Sequence, residues 1–174
     1  MKKWFLLSAL SIIIITSCGK TDSSSTDCSQ LPPTNTATTA ENQYLQAYLA
    51  ANGLTASAIE KNGMYYVITN QGAGVSPNLC SNLTLTYRGN LITGTTDGGV
   101  FDETLAGQTA TFGLSSLITA WKIIFPLVKA GGSVTLYAPP SLAYGAQVSP
   151  ARQGYVGIPA YSYLKFTVSL ISVQ

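Results

Sequence analysis

The chain predicts an α+β domain in which an antiparallel sheet packs against one short helix, and three observations carry that reading. Runs of alternating apolar and polar residues recur beyond residue 62, each bounded by Gly, Pro or Asn. Thr, Tyr, Val and Gly are plentiful while 9% of the residues are charged, which suits strands joined by turns better than a helical bundle. A single short helical stretch interrupts the strands near Thr119 to Phe125. Pro126 must end or kink it, because proline lacks the amide hydrogen and clashes with the preceding turn.

The elements follow in order along the chain. Lys2 and Lys3 precede Trp4 to Leu7 and the apolar run Ile12 to Ile15, the layout of a secretory signal over residues 1–17. Ile15-Thr16-Ser17-Cys18 has the form of a bacterial lipobox, so cleavage would leave Cys18 to be acylated. About 14 apolar-rich residues fall short of the ~20 that a spanning helix needs. Several acyl chains on Cys18 would hold the protein to a membrane of the bacterial cell envelope. Gly19 in place of aspartate after Cys18 favours the outer membrane, facing the periplasm or the surface. Residues 18–40 are mostly Thr, Ser, Asp, Asn and Pro, which bury too little to order themselves and read as a tether.

Residues 41–61 hold a helix and a connector. Tyr44, Leu45, Tyr48 and Leu49 recur at helical spacing and Gly53 follows as a stop, so a helix from Glu41 to Asn52 is expected on the outside of the domain. The folded domain proper spans 62–174. Its strands are expected at Met64–Thr69, Leu83–Gly89, Thr109–Phe112, Val134–Tyr137 and Leu164–Ile171, with the glycine-bearing stretch Thr93 to Gly99 as a loop.

Charge and residue chemistry exclude several classes of function. A net charge of +2 gives no basic face to compete for a phosphate backbone, so nucleic acid is not an expected partner. The absence of histidine removes the commonest general base and the commonest metal ligand together. No metal or cofactor is expected. Cys28 and Cys80 have no redox or metal-binding spacing; they either pair as a disulfide in an oxidising compartment or stay as two thiols.

The second half of the chain carries a set of short signatures in one order. They are Tyr87-Arg88-Gly89, Phe101-Asp102, the stretch Phe112 to Trp121, Leu142-Ala143-Tyr144-Gly145, Ile158-Pro159, and a last strand bearing Phe166. Singly, Trp121, Tyr87 and Phe166 are ordinary core residues, Asp102 a turn or cap, and Tyr144-Gly145 a turn. In this order and spacing the chain resembles the FKBP-type peptidyl-prolyl cis/trans isomerases, and the stretch Gly107 to Phe112 is closer to their bacterial, macrophage-infectivity-potentiator-like branch. The resemblance implies a five- to six-stranded antiparallel sheet wrapped around one short helix, with the N-terminal helix outside the core.

It also implies a site. Trp121 would be the floor under a proline ring, with Phe101, Leu117, Ile118, Ile158 and Phe166 as walls. Tyr87, Asp102 and Tyr144 would act on the amide, Tyr144 by donating its hydroxyl proton to the carbonyl beside the proline and Asp102 by orienting the bound group. Proline-containing polypeptides would be substrates and macrolide ligands of the family potential occupants. The expected role is to help exported proteins fold; the alternative is a catalytically weak chaperone or binding module at the membrane surface. Departures fall at Lys122-Ile123-Ile124, where the family has polar and acidic residues and Gly, at Ala120 and Val128, and in longer loops at 97–99 and 146–156.

Overall fold

The computed structural model describes residues 32–174. In chain order the elements are α1 (Thr39–Ala51), β1 (Ile59–Lys61), β2 (Met64–Asn70), β3 (Asn82–Thr93), β4 (Thr96–Glu103), β5 (Ala110–Gly113), α2 (Thr119–Ile124), β6 (Ser133–Ala138) and β7 (Tyr163–Val173). The expected signal segment, the expected lipidation site at Cys18 and most of the expected tether lie outside the described residues. All strand pairs are antiparallel, in the order β1-β2-β6-β7-β3-β4, with β5 also paired to β3.

Alternation along the strands decides which face each residue serves. Along β7, Leu164, Phe166, Val168 and Leu170 are buried in the main core, while Thr167 and Ser169 between them are exposed. On β2 and β6 both faces are covered. Tyr66, Leu136 and Ala138 join the main core, and their neighbours Tyr65 and Tyr137 join a second cluster on the opposite face. The main core closes over α2, whose Ala120, Trp121, Ile123 and Ile124 are all buried. Helical turns stop at Ile124 and give way to a short 3-10 turn over Phe125–Leu127, as Pro126 requires.

Two strands exceed the sequence expectation. β1 is only three residues long, and the stretch 93–99 is not a loop but the tip and first half of a hairpin in which Thr93 faces Thr96. Its glycines hid it, because a strand without apolar alternation gives no pattern to read. Gly94 has φ +60°, the positive value that a two-residue hairpin turn needs. The β3–β4 register slips near Asn90, with the extra residues on β4, while β3 keeps an unbroken register with β7 from Leu85 to Ile92. By alternation Leu83, Leu85 and Leu91 face the main core, whereas Ile92 belongs to the second cluster.

That second cluster is what α1 covers. The helix begins two residues earlier than the periodicity alone suggests because Thr38 and Glu41 form a capping box, each side chain bonding the other's backbone amide. Glu41 also accepts from the Ser141 amide at 2.9 Å, tying the helix start to the chain after β6. Leu45, Tyr48 and Leu49 are buried against Tyr65, Ile92 and Tyr137. Tyr44 stacks on Tyr163 with ring centroids 3.9 Å apart and accepts the Gly94 amide at 2.7 Å. Tyr48 donates to Asp97 at 2.5 Å, and Lys165 donates to the other oxygen of that carboxylate at 2.7 Å.

Leu45 is wholly buried, so Leu45→Ala is expected to cost about 2–5 kcal/mol. A urea melt of the domain with α1 would show it as a lower midpoint at unchanged slope. Asp97 and Glu41 supply a second test. Burial raises both carboxyls, but for Asp97 the bonds from Lys165 and Tyr48, and for Glu41 those from Thr38 and Ser141, outweigh it and hold them below their ordinary values of 3.8 and 4.5. Lowered folded-state values mean stability that is present above the ordinary values and lost as pH falls below them. Thermal melts should therefore drop between pH 6 and pH 3, and Tyr48→Phe should shrink the drop; an equal drop in that variant would contradict the assignment.

Candidate functional site

One edge of β3 passes from β4 to β5, and Tyr87 stands at the change. Arg88 and Gly89 pair with Glu103 and Asp102 on β4, while Leu83 and Leu85 pair with Phe112 and Ala110 on β5. Between them the Thr104 amide donates to the Tyr87 carbonyl at 3.0 Å, which holds the chain as it crosses from one strand to the next. Phe101 and Asp102 at the end of β4 and Phe112 on β5 thereby converge on the Tyr87 side chain. Gly89 is required for that convergence, since a Cβ there would run into the Phe101 ring.

Helix α2 brings the floor. Ile118 ends an extended turn and α2 starts behind it, so Trp121 enters the core one turn in. The indole is 4% exposed and meets Tyr87 at 5.9 Å, Phe112 at 6.5 Å and Phe166 at 5.3 Å, each at between 82° and 84°, with Phe125 beneath at 5.0 Å. Its Nε1 is buried without a hydrogen-bond partner among the described residues. Among these rings lies a cavity of about 140 Å³. Phe101, Phe112, Leu117, Ile118 and Phe166 give it apolar walls, and Tyr87, Asp102 and Tyr144 give it a polar rim. Drug-sized ligands occupy roughly 300–1,000 Å³, so this space suits one ring.

The rim is electrostatically organised. Asp102 accepts the Tyr87 hydroxyl on one oxygen and the Arg152 guanidinium on the other. Burial, then the hydrogen bond to Asp102 and its charge, push the Tyr87 phenol well above its ordinary value of 10.0. Tyr144 is 39% exposed, and burial followed by the Asp102 charge raises it as well. Both phenols thus keep their protons and remain donors through neutral and moderately alkaline pH.

A second cavity of about 320 Å³ adjoins the first and shares Phe101, Asp102 and Tyr144 with it. Its far side is a hairpin-like segment, residues 149–158, in which Ser149 bridges Ile158 and Arg152 bridges Tyr155. The Val156 amide donates to the Val100 carbonyl at 2.9 Å and ties the segment to β4 beside Phe101.

Eight of the nine residues singled out for the site therefore line the first cavity, and Ile158 lines the second. Phe112, which stands in one of the sequence motifs with no role of its own there, is a wall; its pairing opposite Leu83, visible only once β5 is placed, is what points it inward. The Arg152 ion pair had no sequence signal, since fifty positions separate its partners. Cys80 takes part in a disulfide; the pairing with Cys28 falls outside the described residues. Among the described residues no group of three His, Cys, Asp or Glu side chains is placed to hold a metal ion.

Comparison with known proteins gives a consistent picture. A family model described as FKBP-type peptidyl-prolyl cis-trans isomerase matches residues 75–171. The chain is 41% identical over 114 residues to peptidyl-prolyl cis-trans isomerase Mip of Coxiella burnetii, covering 65% of this chain and 46% of that protein. It is 35% identical over 130 residues to outer membrane protein MIP of Legionella longbeachae, covering 74% and 52%. It thus spans about half the length of the curated relatives it matches. The crystal structure of FkpA from Escherichia coli superposes with a TM-score of 0.58 at 27% identity, covering 77% of this chain and 62% of that one.

Gly89→Ala tests the close approach of β3 to Phe101. Overpacking there is expected to cost about 1–3 kcal/mol in a urea melt; a midpoint equal to that of the parent protein would show that the ring has room to move.

Proposed function

The chain belongs to the FKBP-type peptidyl-prolyl cis-trans isomerase family, and we propose that it turns prolyl peptide bonds between cis and trans in proteins exported to a bacterial cell envelope. The observation that carries this reading is the ring-sized apolar cavity over Trp121 with three polar groups confined to its rim. Uncatalysed rotation must break amide resonance, at about 18–20 kcal/mol. The planar amide is more dipolar than the twisted one, so an apolar cavity from which water is excluded disfavours the ground state relative to the transition state.

Each residue has a part in that step. Trp121 carries the pyrrolidine ring, and Phe101, Phe112, Leu117, Ile118 and Phe166 exclude water around it, with Ile158 closing the adjoining space. Tyr144 donates its proton to the carbonyl beside the proline. Asp102, steadied by the Tyr87 hydroxyl, presents a fixed negative charge toward the twisting amide. No covalent intermediate is needed, because no bond is made or broken. A cavity of this lining would also accept the ring of a macrolide ligand, which we include in the proposal.

The cell-envelope setting rests on the sequence of residues 1–40. Acylation of Cys18 would anchor the protein, residues 18–40 would space it from the membrane, and residues 62–174, braced by 41–61, would do the chemistry. The name of the Legionella relative, an outer membrane protein, supports the outer membrane as its site. Slow proline steps, of tens to hundreds of seconds, are the folding events such an enzyme would shorten.

The deciding measurement is the rate of cis-trans exchange in a short proline peptide with and without the protein. Trp121→Ala should retain less than a tenth of the parent kcat/KM, and Asp102→Ala should fall by about ten-fold or more. Unchanged exchange on adding the parent protein would remove the enzyme reading.

A further inference from the structure

The larger cavity beside the proline site has a charge arrangement that the isomerase chemistry does not use. Tyr144 is shared by both cavities. If it holds the carbonyl of the prolyl amide, that carbonyl belongs to the residue preceding the proline. The second cavity, between Tyr144 and the segment 149–158, is then the adjoining space open to the side chain of that residue.

Arg152 and Asp102, paired with each other, are the two charged groups lining that space. One Arg152 nitrogen donates to Asp102, whose other oxygen is taken by the Tyr87 hydroxyl, so the carboxylate is satisfied from both sides. The remaining guanidinium donors have no acceptor among the described residues, and the side chain is 60% exposed. Arg152 lies over the Tyr155 ring at 5.2 Å, and Gly154, at φ +83°, makes the turn that sets the two opposite each other. The segment is fixed in turn by Val156, packed where Gly99 leaves space: a Cβ on that glycine would stand 2.6 Å from a Val156 methyl. The nearest other acid in sequence, Glu103, is bound by Arg88 at 2.8 Å. What remains without an acceptor at the cavity, among the described residues, is the rest of a planar set of N–H donors, the group that best matches a carboxylate.

From this we infer that Arg152 is a specificity-determining residue, favouring substrates with an acidic side chain immediately before the proline. The inference rests on the isomerase reading, and it adds a substrate preference to it.

Exchange measured by NMR on three peptides that differ only in carrying Glu, Gln or Leu before the proline tests it without a coupling protease. In the parent protein the kcat/KM ratio of the Glu to the Gln peptide should exceed that in Arg152→Gln by about 3- to 5-fold, the size a partly exposed ion pair supports. Arg152→Lys should retain part of the ratio, and about 0.5 M salt should erode it in the parent protein. An equal ratio in parent and Arg152→Gln overturns the inference. So does a loss in the same proportion on all three peptides, which would make Arg152 a positioning residue for Asp102. If no peptide is turned over, the isomerase reading itself fails. Peptide binding followed by chemical-shift changes then decides the inference separately: a preference for the Glu peptide that Arg152→Gln abolishes supports it, and equal affinity in both proteins overturns it.

Discussion

The site depends on the way Trp121 is held. Three rings, Tyr87, Phe112 and Phe166, meet the indole nearly at right angles, and Phe125 packs from the next turn of chain. Each such pair contributes about 0.5–1.5 kcal/mol beyond simple burial. Rings fixed perpendicular to one another do not collapse into a flat stack, and a space of about 140 Å³ persists among them. Floor and walls are therefore drawn from the main hydrophobic core itself. In this domain the binding surface is an opening in the core, so the packing that stabilises the fold and the packing that shapes the site are the same contacts.

A second constraint acts through β4. Two of the strand's three carboxylates are each held by one tyrosine and one cation: Asp97 by Tyr48 and Lys165, Asp102 by Tyr87 and Arg152. Tyr48 comes from α1 and Arg152 from the 149–158 segment, elements that lie outside the central sheet. The hairpin that presents Phe101 and Asp102 is thus fastened near its tip by the N-terminal helix and near its base by the segment over the cavity. Asp97 stands opposite Ile92 of the second cluster and Asp102 opposite Gly89, whose face meets Phe101 of the main core, so each fastening serves a different side of the sheet. An N-terminal helix reads from sequence as an appendage; here it braces the strand that carries the site.

How much of this the sequence disclosed follows the physics of each signal. Alternation revealed β7 and the first half of β3, which bury one face against the core, while β2 and β6, covered on both faces, were legible from their aromatic and β-branched residues bounded by turns. The first half of β4 gave no such signal, since Thr96-Asp97-Gly98-Gly99 packs through backbone pairing and missing side chains rather than through apolar residues. Proline marked the end of α2 because its effect is local. The cavity residues were legible through motifs that fix order and spacing, and Phe112 stood in one of them without its role being apparent. The Asp102–Arg152 pair was not legible at all. It depends on a fold of the 149–158 segment that no local rule specifies, and on a register that only the assembled sheet creates.

The departure at Lys122-Ile123-Ile124 raised the question of whether the site survives in this chain, and packing answers part of it. Ile123 and Ile124 are 1% and 0% exposed and lie in the main core, yet neither lines the cavity over Trp121. Lys122 is partly exposed and also stands clear of the cavity. Lys122 and Ile123, one and two positions after Trp121, leave the helix in other directions, and Ile124, nearly one turn on, is buried in the core without reaching the cavity. Apolar residues there deepen the core behind the indole without filling the space in front of it. The charged chemistry of this chain consequently lies not in α2 but at the rim, where the cation facing Asp102 is supplied by the segment around Arg152.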